Sequence, residues 1–294
     1  MALDRKWVYT LLAVVAVRGV NVALMPFNAL NDAEYHLALA TSIAQSGFTP
    51  FAVPDITLFH VLAAPFSSAP RAFVALFNLF FVCACFFLVK STSRSRLHFL
   101  LLALNPLALI YGASFYADLL TVSFVALALA FERLNHLAAS GLGFLAAFST
   151  RINGLLPAFP ILAERTHRFH WFFWPFVALV TVAYTLYSKA FGVERVFEPN
   201  PVNFGLALLF LLPLLRLPPK LAWERGLFLL AFSLQMIIMS ASVQARYLLP
   251  FLPLLFDGLD FRRERKTGLA YLGLGLLVAV AFLFHFMTKY GEVA

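Results

Sequence analysis

Charged residues are scarce in this sequence: they make up only 12% of its 294 residues, about half the share found in soluble domains. Apolar residues reach 62% of the chain, including 34 Phe. A soluble fold of this length could bury only part of that apolar surface, so lipid must be the solvent for much of it. The composition therefore predicts an all-α polytopic membrane protein with a single domain over residues 1–294.

Cysteine is scarce, with two residues in the chain, and the short motifs of soluble enzymes are absent from the sequence. Cys83 and Cys85 lie inside an apolar run, and two residues apart on a helix they do not face each other, so we interpret them as packing residues. No HExxH motif, Gly-rich phosphate loop or nucleophile elbow occurs. We predict no cofactor, leave a divalent metal open, and expect no ATP-driven pump.

Apolar runs separated by basic or turn-rich breaks predict nine to eleven membrane spans. Several runs are shorter than the ~20 residues that cross a bilayer, and 137–150 and 152–163 could be either separate spans or one broken, re-entrant pair. We expect the first run to be retained and not cleaved as a signal peptide, because Arg18 interrupts its apolar core. The runs are 7–25, 72–89, 97–112, 117–131, 137–150, 152–163, 171–188, 203–215, 226–241, 247–256 and 267–288.

The basic residues determine the predicted orientation. The formal net charge is +8, but Lys and Arg occur in short clusters between the apolar runs, so we predict no nucleic-acid partner. With a cytoplasmic N-terminus and all eleven runs spanning, 15 Lys and Arg residues fall inside, 6 fall outside, and Arg18 lies within the first span. This distribution obeys the positive-inside rule, and the reverse orientation would violate it.

This orientation places the longest connection, about residues 26–71, outside the cytoplasm. Asn31 or Asp32 can cap the start of a helix there, and Gly47 suits the position after its end. One side of this helix carries Tyr35, Leu39, Ser42, Ile43 and Ser46. The pattern predicts a short amphipathic helix at the membrane surface.

The start of that helix could carry chemistry. Asp32, Tyr35 and His36 would be neighbours at i, i+3 and i+4, whereas Glu34 would point away from Asp32. The alternative is that these residues are solvated loop polars and a helix cap. Acidic residues are scarce in this chain, with 14 in all, which favours the first interpretation.

Other polar residues are predicted on the same side. Asp118, two residues after Tyr116, either caps the next span or projects into the same outer cavity. Arg151 and Arg246 near the membrane must snorkel, pair with an acid, or bind an anion. Two guanidinium groups would suit a phosphate, although a salt bridge would explain either arginine alone. Three further polar residues, Arg18 and Asn21 inside the first span and His60 in the loop, carry no assigned role.

The layout resembles the GT-C class of integral-membrane glycosyltransferases. The stretch NDAEYHLALATSIAQSGFTPF after the first run is similar to the acidic first-loop signature of that class. LNPLALIYGASFYADLL, AAFSTRINGLLPAFP and, more weakly, QARYLLPFLPLLF resemble three later motifs. The resemblance covers roughly the N-terminal half and one late helix. The first loop lacks the opening Trp-Asp of the GPI-type mannosyltransferases, so the sugar and the acceptor stay open.

The resemblance implies transfer of a mannose-like sugar from a polyprenyl-phosphate donor at the extracytoplasmic face, by an inverting single displacement. The acceptor would be a lipid, a glycan or a protein. We expect a prokaryotic plasma membrane, or the endoplasmic reticulum membrane in a eukaryote. The implied roles are Asp32 as general base with Glu34 as its alternative, Arg151 and Arg246 as ligands of the donor phosphate, and Tyr35, His36, Tyr116 and Asp118 as residues lining the site.

Two alternatives are not enzymes. A transporter or lipid flippase places its charges near the membrane midplane, often in repeated halves. Here the polar residues cluster near one face, and the sequence shows no internal repeat. A scaffold subunit with a decayed first-loop site is the other alternative, and the predicted placement of Asp32, Asp118 and Arg151 on one side disfavours it.

Overall fold

The computed structural model describes residues 4–26, 33–47, 57–92, 94–190, 205, 209, 226–232, 245–258 and 265–290. Every regular element in these ranges is a helix, which confirms the all-helical prediction for this part of the chain. The helices are α1 (Arg5–Leu24), α2 (Ala33–Ser46), α3 (Leu58–Ala63), α4 (Pro70–Ser91), α5 (Arg96–Ala103), α6 (Pro106–Gly112), α7 (Ala117–Arg133), α8 (Leu137–Thr150), α9 (Ala158–Thr166), α10 (Phe169–Ala190), α11 (Leu252–Gly258) and α12 (Arg265–Tyr290). Three 3₁₀ segments, Ala64–Phe66, Ile152–Leu155 and Ala245–Phe251, join them.

Among the described residues, three helices are long and apolar enough to cross a membrane. They are Arg5–Leu24, Pro70–Ser91 and Arg265–Lys289. In the first and last, only 17% of the apolar window is buried, against 56% in Pro70–Ser91. Most apolar side chains of Arg5–Leu24 and Arg265–Lys289 therefore point away from the protein, as contact with lipid requires. The larger number of spans, and their orientation, stay predictions.

Helices α1 and α4 pack antiparallel. At one end the Arg71 guanidinium donates a hydrogen bond to the Ala23 carbonyl, 3.2 Å away. At the other end the Lys90 ammonium lies 4.6 Å from the centroid of the Trp7 ring. We call the first of these the loop end, because the chain between α1 and α4 leaves and returns there.

Helix α8 runs antiparallel to α7, and α9 returns toward the far end of α7. At the start of α7 the Thr121 and Thr150 hydroxyls are 2.8 Å apart. At its far end the Glu132 carboxylate pairs with the Arg165 guanidinium at 2.7 Å. Helix α8 therefore ends beside the start of α7, and α9 ends beside its far end. Whether the runs 137–150 and 152–163 are separate spans or one broken, re-entrant pair stays a prediction.

The predicted span 97–112 is two helices in the structure, α5 and α6. The break falls at Asn105–Pro106, because proline has no N–H to continue the helical ladder. The Asn105 side chain caps α6 by accepting the Leu107 N–H at 3.0 Å. That N–H would otherwise bond to Ala103, so the Ala103 carbonyl is left without its helical donor.

Arg18 of α1 supplies the hydrogen-bond donor that is missing at this break. Its guanidinium donates to the carbonyls of Ala103 at 2.7 Å and Ala108 at 2.9 Å, and to the Asn78 amide oxygen at 2.8 Å. The group is 1% exposed and lies 4.7 Å from the centroid of the Phe81 ring. A backbone carbonyl left unpaired in an apolar core costs free energy. The intramembrane charge therefore has a structural role, and its partners are neutral oxygen acceptors.

The end of α6 is held in the same way. The Asn78 amide donates to the Gly112 carbonyl at 2.6 Å, and the Asn21 amide donates to the Leu109 carbonyl at 2.8 Å. The last carbonyls of a helix have no donors of their own. Side chains of α1 and α4 thus fix the direction in which the chain leaves α6 for the segment 113–118.

Gly112 has to be glycine for this contact, which gives a testable prediction. A Cβ at Gly112 would lie 2.5 Å from the Arg18 Nη2 atom and 2.9 Å from Leu119 Cδ2. We expect Gly112→Ala to lower the free energy of unfolding by about 1–3 kcal/mol through overpacking. Gly19→Ala is the matched control, because a Cβ there meets nothing within 4 Å, and alanine should gain about 0.5–1 kcal/mol of helix propensity. Denaturation of the purified protein by SDS measures both, and equal stability of the two variants would contradict the close approach.

Candidate functional site

An ion pair between Asp118 and Arg151 lies at the loop end of the bundle. Asp118 occupies the first turn of α7, and Arg151 follows the last residue of α8. The Arg151 Nη1 atom donates a short hydrogen bond to Asp118 Oδ1. The Asp118 side chain is fully buried, whereas the Arg151 side chain keeps 20% of its surface exposed.

Two glycines let the backbone elements around this pair approach closely. A Cβ at Gly143 of α8 would lie 2.9 Å from the Ala128 Cβ of α7. A Cβ at Gly154 would overlap the Ala147 carbonyl and lie 2.8 Å from the Thr121 methyl group. The small residues bring α8 and the 3₁₀ segment Ile152–Leu155 against α7, which places Arg151 over the start of that helix.

A second arginine comes from the 3₁₀ helix Ala245–Phe251. This helix packs against α6, α7 and the 3₁₀ segment Ile152–Leu155. The Arg246 guanidinium is 3% exposed and lies 4.8 Å from the Tyr116 ring centroid and 5.6 Å from that of Tyr247. The Tyr247 ring also lies 4.9 Å from the Arg151 guanidinium. The Tyr247 ring therefore contacts both arginines.

Two positive charges, those of Arg151 and Arg246, lie in this cluster, and the carboxylate of Asp118 pairs with Arg151. The cluster is largely removed from water, where a charge acts more strongly than at an exposed surface. Aromatic faces stabilise both guanidinium groups in their positions. The arrangement is suited to an anion with a delocalised charge, such as a phosphate diester.

Helix α2 contacts this cluster through His36. The His36 ring packs edge-to-face on Tyr116, with 5.5 Å between centroids, and on Phe59 of α3, with 6.0 Å. Its Nδ1 atom lies 2.9 Å from Nε2 of His60, which is 1% exposed. The Thr57 N–H donates to the other His60 nitrogen, Nδ1, at 3.1 Å.

These contacts fix the proton on His60. A backbone N–H can only donate, so His60 Nδ1 is an acceptor and the neutral ring carries its proton on Nε2. That proton is donated to His36 Nδ1, which leaves the proton of neutral His36 on Nε2. A metal bound between the two rings would have to displace the shared proton. Among the described residues there is no group of three or more His, Cys, Asp or Glu that could hold a metal ion.

The structure places the residues predicted from the sequence at different distances from this cluster. Tyr116, Asp118, Arg151 and Arg246 come together in it, and His36 touches it through Tyr116. Tyr35 is 43% exposed, and Glu34 is exposed on the first turn of α2. Asp32 lies outside the described residues, directly before the first residue of α2.

The buried face of α2 differs from the predicted one. It consists of Ala33, Leu39, Ala40 and Ile43, so only two of the five residues predicted to share a face are buried. Ser42 and Ser46 are exposed. Helix α2 packs on α3, and its side toward α3 carries His36, which contacts Phe59, whereas Tyr35 is exposed.

Several residues of the site carried no prediction. Tyr247 directly follows Arg246, and its place in the RYLLP stretch was the available signal. Asn153 is one of the four residues 151–154 that follow α8, and Ser114 lies between the two tyrosines at 111 and 116. His60 was interpreted as a plain loop residue, yet it is buried and bonded to His36.

No family model, curated protein or solved structure matches this chain. The function is therefore proposed from the cluster itself and from the sequence resemblance described above.

Proposed function

We propose that this protein is an integral-membrane glycosyltransferase that resembles the GT-C class. It would move a mannose-like sugar from a polyprenyl-phosphate donor to a lipid, glycan or protein acceptor by an inverting single displacement. The observation that supports this most is the pair of guanidinium groups of Arg151 and Arg246, held by tyrosine rings at the loop end next to α2.

The guanidinium pair fits the leaving group of such a reaction. When the glycosyl–oxygen bond breaks, negative charge builds up on the polyprenyl phosphate. Arginine stays charged at all working pH values and presents paired N–H donors that match phosphate oxygens. Because Arg246 is 3% exposed, its charge is already positioned and little water has to reorganise when the bond breaks.

The proton of the acceptor hydroxyl needs a base, and a single displacement needs only one. Asp118 is poorly suited to this role, because Arg151 pairs with it and it is fully buried. It would instead orient bound groups. We assign the base to Asp32, directly before α2, with Glu34 as the alternative. His36, one turn into α2, contacts Tyr116 beneath Arg246, so the helix that follows Asp32 reaches the arginine pair.

The apolar helices would hold the prenyl chain of the donor. The long helices α1 and α12 expose apolar side chains such as Leu12, Val20, Leu277 and Phe284. A prenyl chain can lie against such a surface and deliver only its phosphate and sugar to the loop end. In the predicted orientation this end faces away from the cytoplasm, in a prokaryotic plasma membrane or the endoplasmic reticulum membrane.

Arg246→Gln tests the phosphate site. Glutamine removes the charge and keeps hydrogen-bonding capacity, and one charge-assisted contact is worth about 1.5–3 kcal/mol. We therefore expect kcat/KM for a polyprenyl-phosphate sugar to fall by about 10–100-fold. The measurement is transfer of radiolabelled mannose by purified protein in phosphatidylcholine vesicles.

Arg168→Gln is the matched control, because Arg168 is exposed just before α10. It follows α9, whose Arg165 pairs with Glu132 at the far end of α7. Its transfer rate should stay at the wild-type value. Equal rates for Arg246→Gln and wild type would contradict the phosphate site, and movement of intact donor between leaflets without transfer would favour a flippase.

A further inference from the structure

Three buried side chains near the arginine pair have polar atoms with no hydrogen-bond partner among the described residues. They are the Ser114 hydroxyl, the second carboxylate oxygen of Asp118, and both polar atoms of the Asn153 amide. Ser114 and Asp118 are completely buried as residues. An unpaired buried polar group costs about 1–3 kcal/mol, and more when it is charged. Such groups are retained where a ligand or an ordered water completes their bonding.

The three groups come from elements that meet at one place. Ser114 lies in the turn between α6 and α7, Asp118 in the first turn of α7, and Asn153 in the 3₁₀ segment Ile152–Leu155. The 3₁₀ helix Ala245–Phe251, which carries Arg246, contacts α6, α7 and that 3₁₀ segment. The unpaired groups and the arginines therefore belong to one end of one packed unit.

The bonding capacities of the groups identify the ligand chemistry. A carboxylate oxygen can only accept, a serine hydroxyl can donate and accept, and an asparagine amide offers both functions on separate atoms. A phosphate diester offers acceptors alone, so it cannot satisfy the free oxygen of Asp118 and is repelled by its charge. A sugar hydroxyl donates and accepts at the same oxygen. The hydroxyls of a sugar ring therefore offer the donors and acceptors that these three side chains lack.

We infer that Ser114, Asp118 and Asn153 form a hydroxyl-binding subsite for the sugar ring of the donor, next to the phosphate held by Arg151 and Arg246. This inference rests on the proposed function and adds the residues that select the sugar. The ion pair with Arg151 occupies one oxygen of Asp118 and leaves the other for a hydroxyl. A neutral, polyhydroxylated hexose fits the mixed donors and acceptors.

A binding residue of this kind has a distinct stability signature. Removing an unpaired hydroxyl relieves a cost in the empty protein, whereas removing a bonded one loses a contact. Ser114→Ala should therefore leave the unfolding midpoint of the empty protein unchanged or higher. Ser123→Ala is the matched control, because Ser123 is equally buried but donates to the Leu119 carbonyl at 2.7 Å.

The decisive experiment uses two probes with the purified full-length protein in detergent. Methyl α-mannoside carries only the sugar, and a short-chain polyprenyl phosphate carries only the anion. The dissociation constants come from the rise of the unfolding temperature with probe concentration. We expect Ser114→Ala and Asn153→Ala each to weaken mannoside binding by about tenfold, which is one lost hydrogen bond, without altering polyprenyl phosphate binding. Ser123→Ala should change neither constant.

Singly deoxygenated mannosides identify the hydroxyl that each residue holds. In the wild type one or two of them should bind about tenfold more weakly than methyl mannoside. Ser114→Ala should bind the matching deoxy analogue and methyl mannoside equally. If both alanine variants bind every mannoside as the wild type does, or if the wild type binds none, the groups hold water only and the inference is wrong. If mannosides bind with this pattern but no sugar is ever transferred, the subsite stands and the proposed transferase reaction fails.

Discussion

The Asp32→Asn variant is expected to lose sugar transfer, with kcat lower by about 10²–10⁴-fold, the usual contribution of a general base. An amide cannot take the proton of the acceptor hydroxyl, and a single displacement offers no second step at which another base could act. Membrane insertion and the unfolding midpoint should match the wild type, because asparagine has the size of aspartate and can equally cap the start of a helix. Initial rates with a saturating polyprenyl-phosphate sugar measure the effect.

Glu34→Gln is the companion variant. Glu34 is exposed on the first turn of α2, so its replacement should leave the fold intact and, if Asp32 is the base, change kcat only a few-fold. The reverse outcome, with full activity in Asp32→Asn and loss of activity in Glu34→Gln, would move the base to Glu34. Full activity in both variants would remove the first loop from the chemistry.

We expect Arg151→Leu to destabilise the protein more than any other single substitution at the site. Its free energy of unfolding should fall by about 3–5 kcal/mol relative to the wild type. Its leucine would leave the Asp118 carboxylate fully buried with no positive partner. Asp118→Asn should cost less, about 1–3 kcal/mol, because the Arg151 side chain keeps 20% exposure and can turn toward water. Denaturation in SDS–detergent mixtures gives both values.

Combining the two substitutions provides the control. Asp118→Asn placed in the Arg151→Leu background removes the stranded charge, so the double variant should be more stable than Arg151→Leu alone. Neighbouring groups that act as a pair show this kind of non-additivity. A double variant that loses the sum of both single effects, or an Arg151→Leu variant as stable as Asp118→Asn, would show that the pair is not a buried ionic contact.

Much of the architecture follows from composition and periodicity. The apolar runs predicted the helices, and the acid and the two arginines of the site were expected on one side of the membrane. Sidedness, however, assigns residues only to an end of the bundle. That Arg151 contacts Asp118 depends on the close packing that Gly143 and Gly154 allow. That Arg246 lies over Tyr116 depends on how the 3₁₀ helix Ala245–Phe251 packs on α6 and α7. Such approach distances leave no periodic signal in a single sequence.

The roles of Arg18 and His60 were hidden for a similar reason. A charge inside a membrane span suggests function, but Arg18 donates to the Ala103 carbonyl, which the break at Asn105–Pro106 leaves without its helical donor. The proline indicates where the helix breaks, since a helix rarely continues through Asn-Pro. The residue that donates to the Ala103 carbonyl at this break, Arg18, lies about 85 residues earlier in the chain. His60 is remote from His36 in the chain, and only the folded first loop brings the two rings together.

The fate of the bond between sugar and phosphate tests the central claim most directly. Purified protein in sealed vesicles is given a polyprenyl-phosphate mannose of known anomeric configuration, labelled in the sugar and in the lipid, together with candidate lipid, glycan and protein acceptors. We expect the two labels to separate, with free polyprenyl phosphate as one product and an acceptor mannoside of opposite anomeric configuration as the other. Labels that stay joined while the donor changes leaflet would contradict the account and identify a flippase.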